Sequence, residues 1–232
     1  AKNIGRWFAN GGGNFDIHTI NTDGTGLTRV TDNSIQKGYV TFATHKKRHF
    51  NVDRLGIFKY LVLGRQNSCC LGIAEFPFGG PERGDDFWVT LATWTSDPFR
   101  MASVTMHELG HNLGFPHGGI WTMPYEDDSP FKPNLLSVMS YRYDDGVSID
   151  CNNTPDGLLT FSQGQLKDIV EPATDENIGI CDNEPLDMNY DGRITSGEID
   201  SDWVPGSRAN GVSGTHRDYD LWGNIVIDFM NR

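Results

Sequence analysis

One segment constrains this chain more than any other: His107-Glu108-Leu109-Gly110-His111-Asn112-Leu113-Gly114-Phe115-Pro116-His117. Residues four apart on a helix share a face, so a helix through this stretch presents His107 and His111 to one point, with Glu108 one step round beside it. The residues upstream favour that helix. Asp97 offers an N-cap, Pro98 suits the first helical position, and Met101, Val104 and Leu109 recur at helical spacing towards Gly114. Gly114 can take the left-handed conformation that ends a helix, turning the chain so that His117 returns to the same point. Three neutral imidazoles with a fourth position left for water form the ligand set of a catalytic zinc site, because a structural site is normally closed by protein ligands. Zinc lowers the pKa of its water to about 7 and polarises a carbonyl, and Glu108 is placed to take the water proton as general base and pass it to a leaving amine.

The remainder of the chain supplies a scaffold for that helix. The run 56–63 is rich in β-formers and reads as a central strand, with further strands at 71–76 and 87–92. The first 35 residues, with Gly11-Gly12-Gly13 and Thr22-Asp23-Gly24-Thr25-Gly26, read as turns between short extended pieces. A second helix is expected after Phe161, where Ser162 and Gln165 have capping-box spacing ahead of Leu166 and Ile169. The tail around Asp218 to Ile225 reads as a strand docking on the core. Strands ahead of a long helix, then a stretch poor in regular structure, indicate an α+β domain with an α/β-type upper part. With 232 residues, 37% of them hydrophobic, the chain suits one domain, 1–232.

Charge and hydropathy exclude several functions. The formal net charge of -12 would repel a polyphosphate backbone, so nucleic acid is not an expected partner. No stretch reaches the roughly 20 apolar residues of a membrane-spanning helix. The basic run His45-Lys46-Lys47-Arg48-His49 reads as a solvated turn. The chain opens on Ala rather than Met, which suggests a trimmed form whose upstream signal or inhibitory pro-segment has been removed. A secreted monomer acting on protein or peptide substrates is the expectation. Four cysteines allow two disulfides in three connectivities, with Cys151 and Cys181 the preferred pair because both lie in loop-like sequence; the adjacent Cys69 and Cys70 bond to each other only with local strain.

The segment 107–117 resembles the HExxHxxGxxH signature of the metzincin clan of zinc metallopeptidases. Met139, 22 residues beyond His117, stands where the clan's Met-turn methionine forms a hydrophobic base beneath the metal. Tyr141 follows at the Met-x-Tyr spacing of astacin-like and serralysin-like members, and the resemblance implies that its phenol ligates zinc at rest or stabilises the oxyanion during turnover. It further implies a twisted mixed sheet with the active-site helix in an upper lobe (about 1–117) and an irregular lower lobe (118–232). Extended substrate would pair with an edge strand, for which 71–76 is the candidate. Gly118-Gly119 after the third histidine leaves the subfamily open, and Cys151 with Thr160 to Gln165 looks pappalysin-like and also like bacterial metallopeptidases. The resemblance implies that the segment after the Met-turn walls the pocket beyond the scissile bond; here it holds Arg142, Asp144 and Asp145, and an acidic wall would favour a basic residue there. The resulting expectation is a zinc endopeptidase that uses Glu108 and Tyr141. A catalytically idle extracellular binding module stabilised by zinc and calcium is the alternative, and a zinc hydrolase acting on something other than peptides is a third reading.

A second constellation runs from Asp187 to Glu198. Side-chain oxygens at Asp187, Asn189, Asp191 and Glu198, a glycine at Gly192 and the backbone carbonyl of Arg193 fall at the positions of an EF-hand calcium loop, with Thr195 a further ligand directly or through water. The preceding Asp182-Asn183-Glu184-Pro185 is poor helix, so the loop resembles a dockerin-style site with a helix on one side at most. Its calcium role is structural.

Overall fold

Asp86-Phe87-Trp88-Val89-Thr90 has buried side chains on both faces of the strand, which requires cover above and below and neighbours on both edges. In the computed structural model, which describes residues 3–9, 15–21, 28–29, 46, 50–51, 53, 58–64, 70–78, 84–90, 97–121, 129–148, 156–170, 175–181, 184–189, 191–197 and 215–226, this strand is the middle of a mixed sheet. Among the described residues the strands in chain order are β1 (Asn3–Ala9), β2 (Phe15–Asn21), β3 (Thr28–Arg29), β4 (Tyr60–Gly64), β5 (Gly72–Ala74), β6 (Asp86–Thr90), β7 (Ile169–Val170) and β8 (Thr215–His216), and the α-helix described along its length is α1 (Pro98–Asn112). The first three form an antiparallel meander with Asn3 opposite Asn21 and Ala9 opposite Phe15, and β1 adjoins β4. In the second sheet β4 runs parallel to β6 and β5 antiparallel to it, so among the described residues β5 is an edge. The run expected to be central, 56–63, therefore contributes a strand that begins at Tyr60 and flanks β6, while 54–57 lie outside the described residues.

The helix packs on β6 and β5, burying Val104 against Phe87 and Val89, with Leu61, Leu63 and Leu109 around them. Each fully buried side chain of this size stabilises the fold by roughly 1.5–3 kcal/mol. A second cluster of Phe115, Val138, Met139, Phe161 and Leu221 packs on the helix through Met106 and Leu113. A third gathers Ile169, Ile180, Leu186 and Met188. Polar clips fix the helix end to the sheet: Asn112 Nδ2 donates to the carbonyls of Glu75 and Asp86, both at 2.8 Å.

Three expectations are corrected. Lys46 is not solvated but buried, its ammonium 2.5 Å from both Asp85 Oδ1 and Asp86 Oδ1. No helix follows Phe161. Asp218 takes the groups a capping box would have used, accepting from Ser162 Oγ and from the Leu166 amide, and Gly164 at φ +65 turns the chain into β7, which pairs with β8. The tail is not a strand. A single bridge joins Asp220 to Gln163, a 3-10 turn spans Trp222–Asn224, and Trp222 Nε1 donates to the Phe161 carbonyl at 3.0 Å. Among the described residues no helix is long and apolar enough to cross a membrane.

Candidate metal centre and cleft

Helix α1 begins as its residues dictate. The Asp97 carboxylate accepts from the amides of Phe99 at 2.9 Å and Arg100 at 3.2 Å, and Pro98 loses no hydrogen bond at a position where its missing N–H would have been unpaired. It ends in a Schellman motif: the Phe115 amide bonds back to the Gly110 carbonyl and the Gly114 amide to that of His111, with Gly114 at φ +100. This turn carries the chain back so that His117 faces the two helical histidines. The ring centroids of His107 and His111 lie 4.8 Å apart, and His117 is 5.1 and 4.7 Å from them. One nitrogen of each ring lies within 4.8 Å of the others, a spacing at which three donors can share one ion.

Two of the rings are oriented by carbonyls. His107 Nδ1 lies 2.6 Å from the Val138 carbonyl oxygen and His111 Nδ1 lies 2.7 Å from that of Phe115. A carbonyl can only accept, so each Nδ1 carries the proton and each Nε2 is left as a lone-pair donor, the second-layer arrangement that fixes tautomer and aim at metal sites. Burial lowers all three histidines below their ordinary value, His111 to about 3 and His117 to about 4, with charge repulsion from neighbouring rings adding to it at His111 and His117. They are neutral near pH 7, which is the ligating form. Histidine nitrogens without thiolates or further carboxylates suit zinc and similar borderline metals.

Met139 is fully buried in the tight turn after Ser137, whose hydroxyl accepts from the Met139 amide at 3.1 Å. Its sulfur reaches the helix at Gly110, where an added Cβ would stand 2.2 Å from Sδ and 2.9 Å from Phe161 Cε1. The same turn supplies the Val138 carbonyl that holds His107, so packing and ligand orientation share one element. Gly110 was missed in the sequence. A glycine inside a helix costs about 1 kcal/mol against alanine, and that cost is the signal of a packing demand.

Glu108 is buried beside the histidines, and burial pushes its carboxyl up to about 8. A dication held by the neighbouring rings would favour the carboxylate and pull that value down. The side chain lies against the edge strand: a Cβ on Gly72 would fall 2.2 Å from Glu108 Oε1. Gly72 was also missed, although a glycine within a strand marks a close approach. The cleft measures about 450 Å3 and is lined by Gly72, Ile73, Phe76, Glu108, Tyr141 and Asp144, among others. The candidate edge strand therefore forms one wall of the site. Tyr141 forms the opposite side, its ring 4.4 Å from that of His117 and 5.6 Å from that of His107, and it is 40% exposed.

Arg100 of α1 meets Asp145 at 2.5 Å and Asp144 at 3.3 Å, so these carboxylates are countered from within the chain. Arg142 turns away from the cleft and donates to the carbonyls of Met188 and Asp187.

The described residues of the loop, 187–189 and 191–197, bond among themselves. Asp187 accepts from the amides of Asp191 and Gly192, Asn189 Oδ1 from Asp191 and Asp191 Oδ1 from Arg193. Glu176, fully buried and not singled out in the sequence, accepts from the Met188, Asn189 and Thr195 amides and from the Thr195 hydroxyl. Nothing short-range announces it, since it lies 11 residues before Asp187. Glu198 and Cys151 lie outside the described residues, as does Cys69. Cys70 and Cys181 are each disulfide-bonded, and no bond between these two is described.

Compared with protein-family models, with characterised proteins and with solved structures, the chain matches none of them.

Proposed function

We propose that this chain is a zinc-dependent endopeptidase of metzincin type built on an α+β domain. The observation that carries the reading is the convergence of His107, His111 and His117, with two Nδ1 atoms tied to carbonyls, beside a buried Glu108 in a cleft walled by an edge strand. A zinc ion on these three nitrogens supplies Lewis acidity, lowering the pKa of coordinated water and polarising a carbonyl. The chain does the rest. The free edge of β5 offers backbone donors and acceptors to an extended peptide. Glu108 accepts a proton within the cleft and returns it to the leaving nitrogen. The Tyr141 hydroxyl donates to the oxygen that gains charge.

The idle-module alternative predicts a missing base or a blocked cleft, and Glu108 lining an open cleft argues against it. The test compares hydrolysis of casein by the zinc-loaded chain and by Glu108→Gln, with metal content measured on both. The variant keeps one zinc per chain and loses hydrolysis by at least about 10³-fold. Activity surviving in the variant overturns the mechanism.

A second metal is proposed for the loop 187–198, where Asp187, Asn189, Asp191, the Arg193 carbonyl and Glu198 would hold calcium in a structural role. Calorimetry should show calcium binding that Asp187→Ala abolishes; a silent titration removes the assignment. Disulfides at Cys70 and Cys181 support an oxidising, extracellular setting, in which calcium is plentiful.

A further inference from the structure

Tyr141 opens a single turn of 3-10 helix, Tyr141–Tyr143, and three described attachments hold that turn. The Tyr141 amide donates to the Pro130 carbonyl at 2.7 Å, and Tyr143 Oη to that of Pro133 at 2.5 Å; both reach back only about ten residues. The third is long-range. Arg142 sends Nη2 to the Asp187 carbonyl at 2.5 Å and Nη1 to the Met188 carbonyl at 2.9 Å. A planar guanidinium donating to two successive carbonyls fixes direction as well as distance, which a single ammonium cannot do.

The receiving end is rigid. Met188 is fully buried among Ile169, Ile180 and Leu186, and its amide is held by the buried Glu176. On the other side, Arg100 of α1 pairs with Asp144 and Asp145. The segment 141–145 is thus slung between the active-site helix and the 187–188 backbone, with the half-exposed Tyr141 ring at its cleft end. Short 3-10 turns have poor internal hydrogen bonds, so an external tether decides where such a turn sits.

We propose that Arg142 is a positioning residue for Tyr141: its fork onto the carbonyls of Asp187 and Met188 sets the turn that carries the phenol to the cleft. The proposal deepens the endopeptidase reading and rests on it for its kinetic readout, while a second readout does not depend on turnover.

The experiment uses the full chain, zinc-loaded, as wild type, Arg142→Gln, Arg142→Lys, Tyr141→Phe and the double variant Arg142→Gln/Tyr141→Phe. In amide hydrogen exchange, Arg142→Gln speeds exchange across 141–145 about tenfold while α1 keeps its protection. In peptide hydrolysis, Tyr141→Phe lowers kcat about 10²-fold through loss of one oxyanion donor. Arg142→Gln lowers kcat about tenfold with KM changed less than twofold, the signature of a misplaced transition-state donor. Arg142→Lys recovers only part, because it restores charge without the fork. In the Tyr141→Phe background Arg142→Gln has no further effect on kcat. An equal loss in both backgrounds overturns the proposal, as does unchanged exchange across 141–145. Absence of wild-type turnover instead sinks the endopeptidase reading, and exchange alone then decides the tether.

Discussion

Replacing Gly110 with alanine sets two known effects against each other at the centre of the site. On helix propensity alone the change stabilises by about 1 kcal/mol, since glycine is that much worse than alanine in a helix interior. The structure opposes it. The new Cβ would stand 2.2 Å from Met139 Sδ, 3.2 Å from its Cε and 2.9 Å from Phe161 Cε1, in a cluster where Met139 is fully buried and Phe161 is 2% exposed. Overpacking of this kind costs about 1–3 kcal/mol, and methionine's flexibility keeps it from the top of that range. The net expectation is a loss of about 1 kcal/mol, or roughly 2–4 °C in Tm for a domain of this size. The functional consequence is larger. Where Met139 yields by shifting the turn whose Val138 carbonyl holds His107 Nδ1, disturbing such an outer-layer partner weakens metal affinity about 10–100-fold. Urea unfolding of the metal-stripped protein and competition for zinc against a chromophoric chelator measure the two effects separately. A Gly110→Ala protein that is more stable and binds zinc as tightly would refute the packing argument.

The remaining predictions concern the cleft wall and the sheet corner. Gly72→Ala forces Glu108 off its position, because the added Cβ falls 2.2 Å from Oε1; kcat should drop at least about 10²-fold with zinc content intact, and unchanged turnover would remove Gly72 from the site. Lys46→Met leaves Asp85 and Asp86 buried without their ammonium and should destabilise by about 3 kcal/mol in urea unfolding, whereas a solvated lysine would give less than about 0.5 kcal/mol. The same corner predicts alkaline lability. Burial, and then the Asp86 charge, push Tyr60 up to about 12, and Lys46 is raised as well, its burial outweighed by bonds to Asp85 and Asp86. Both groups hold their protons more tightly folded than unfolded, so their contribution is complete below about pH 10 and is lost as pH rises from about 10 to 12. Tyr60→Phe should flatten part of that decline in stability-against-pH curves; a curve of unchanged slope would rule Tyr60 out as its source.

What was legible in the sequence is what local chemistry dictates. Asp97, Pro98 and Gly114 act on neighbours within a few residues, so the limits of α1 and the return of His117 could be read from spacing alone. Met139 was found because a resemblance fixed its place. Gly110 and Gly72 were not singled out, since the atoms that demand a glycine, Met139 Sδ and Glu108 Oε1, come from sequence-distant positions. Lys46 was misread for the same reason: its partners lie 39 and 40 residues away.

The expected helix after Phe161 shows how a tertiary partner overrides a local signal. Ser162 and Gln165 have the spacing of a capping box, worth about 1 kcal/mol. Asp218, 56 residues on, offers Ser162 and the Leu166 amide a charged acceptor instead, and a hydrogen bond to a charged group is worth about 1.5–3 kcal/mol. Burial raises the Asp218 carboxyl, but the hydroxyl, the amides and the nearby Lys132 ammonium oppose that rise. The segment therefore runs extended into β7 rather than coiling. Just ahead of it the Thr160 carbonyl accepts from the Val138 amide at 3.0 Å, a bond that steadies the turn holding His107.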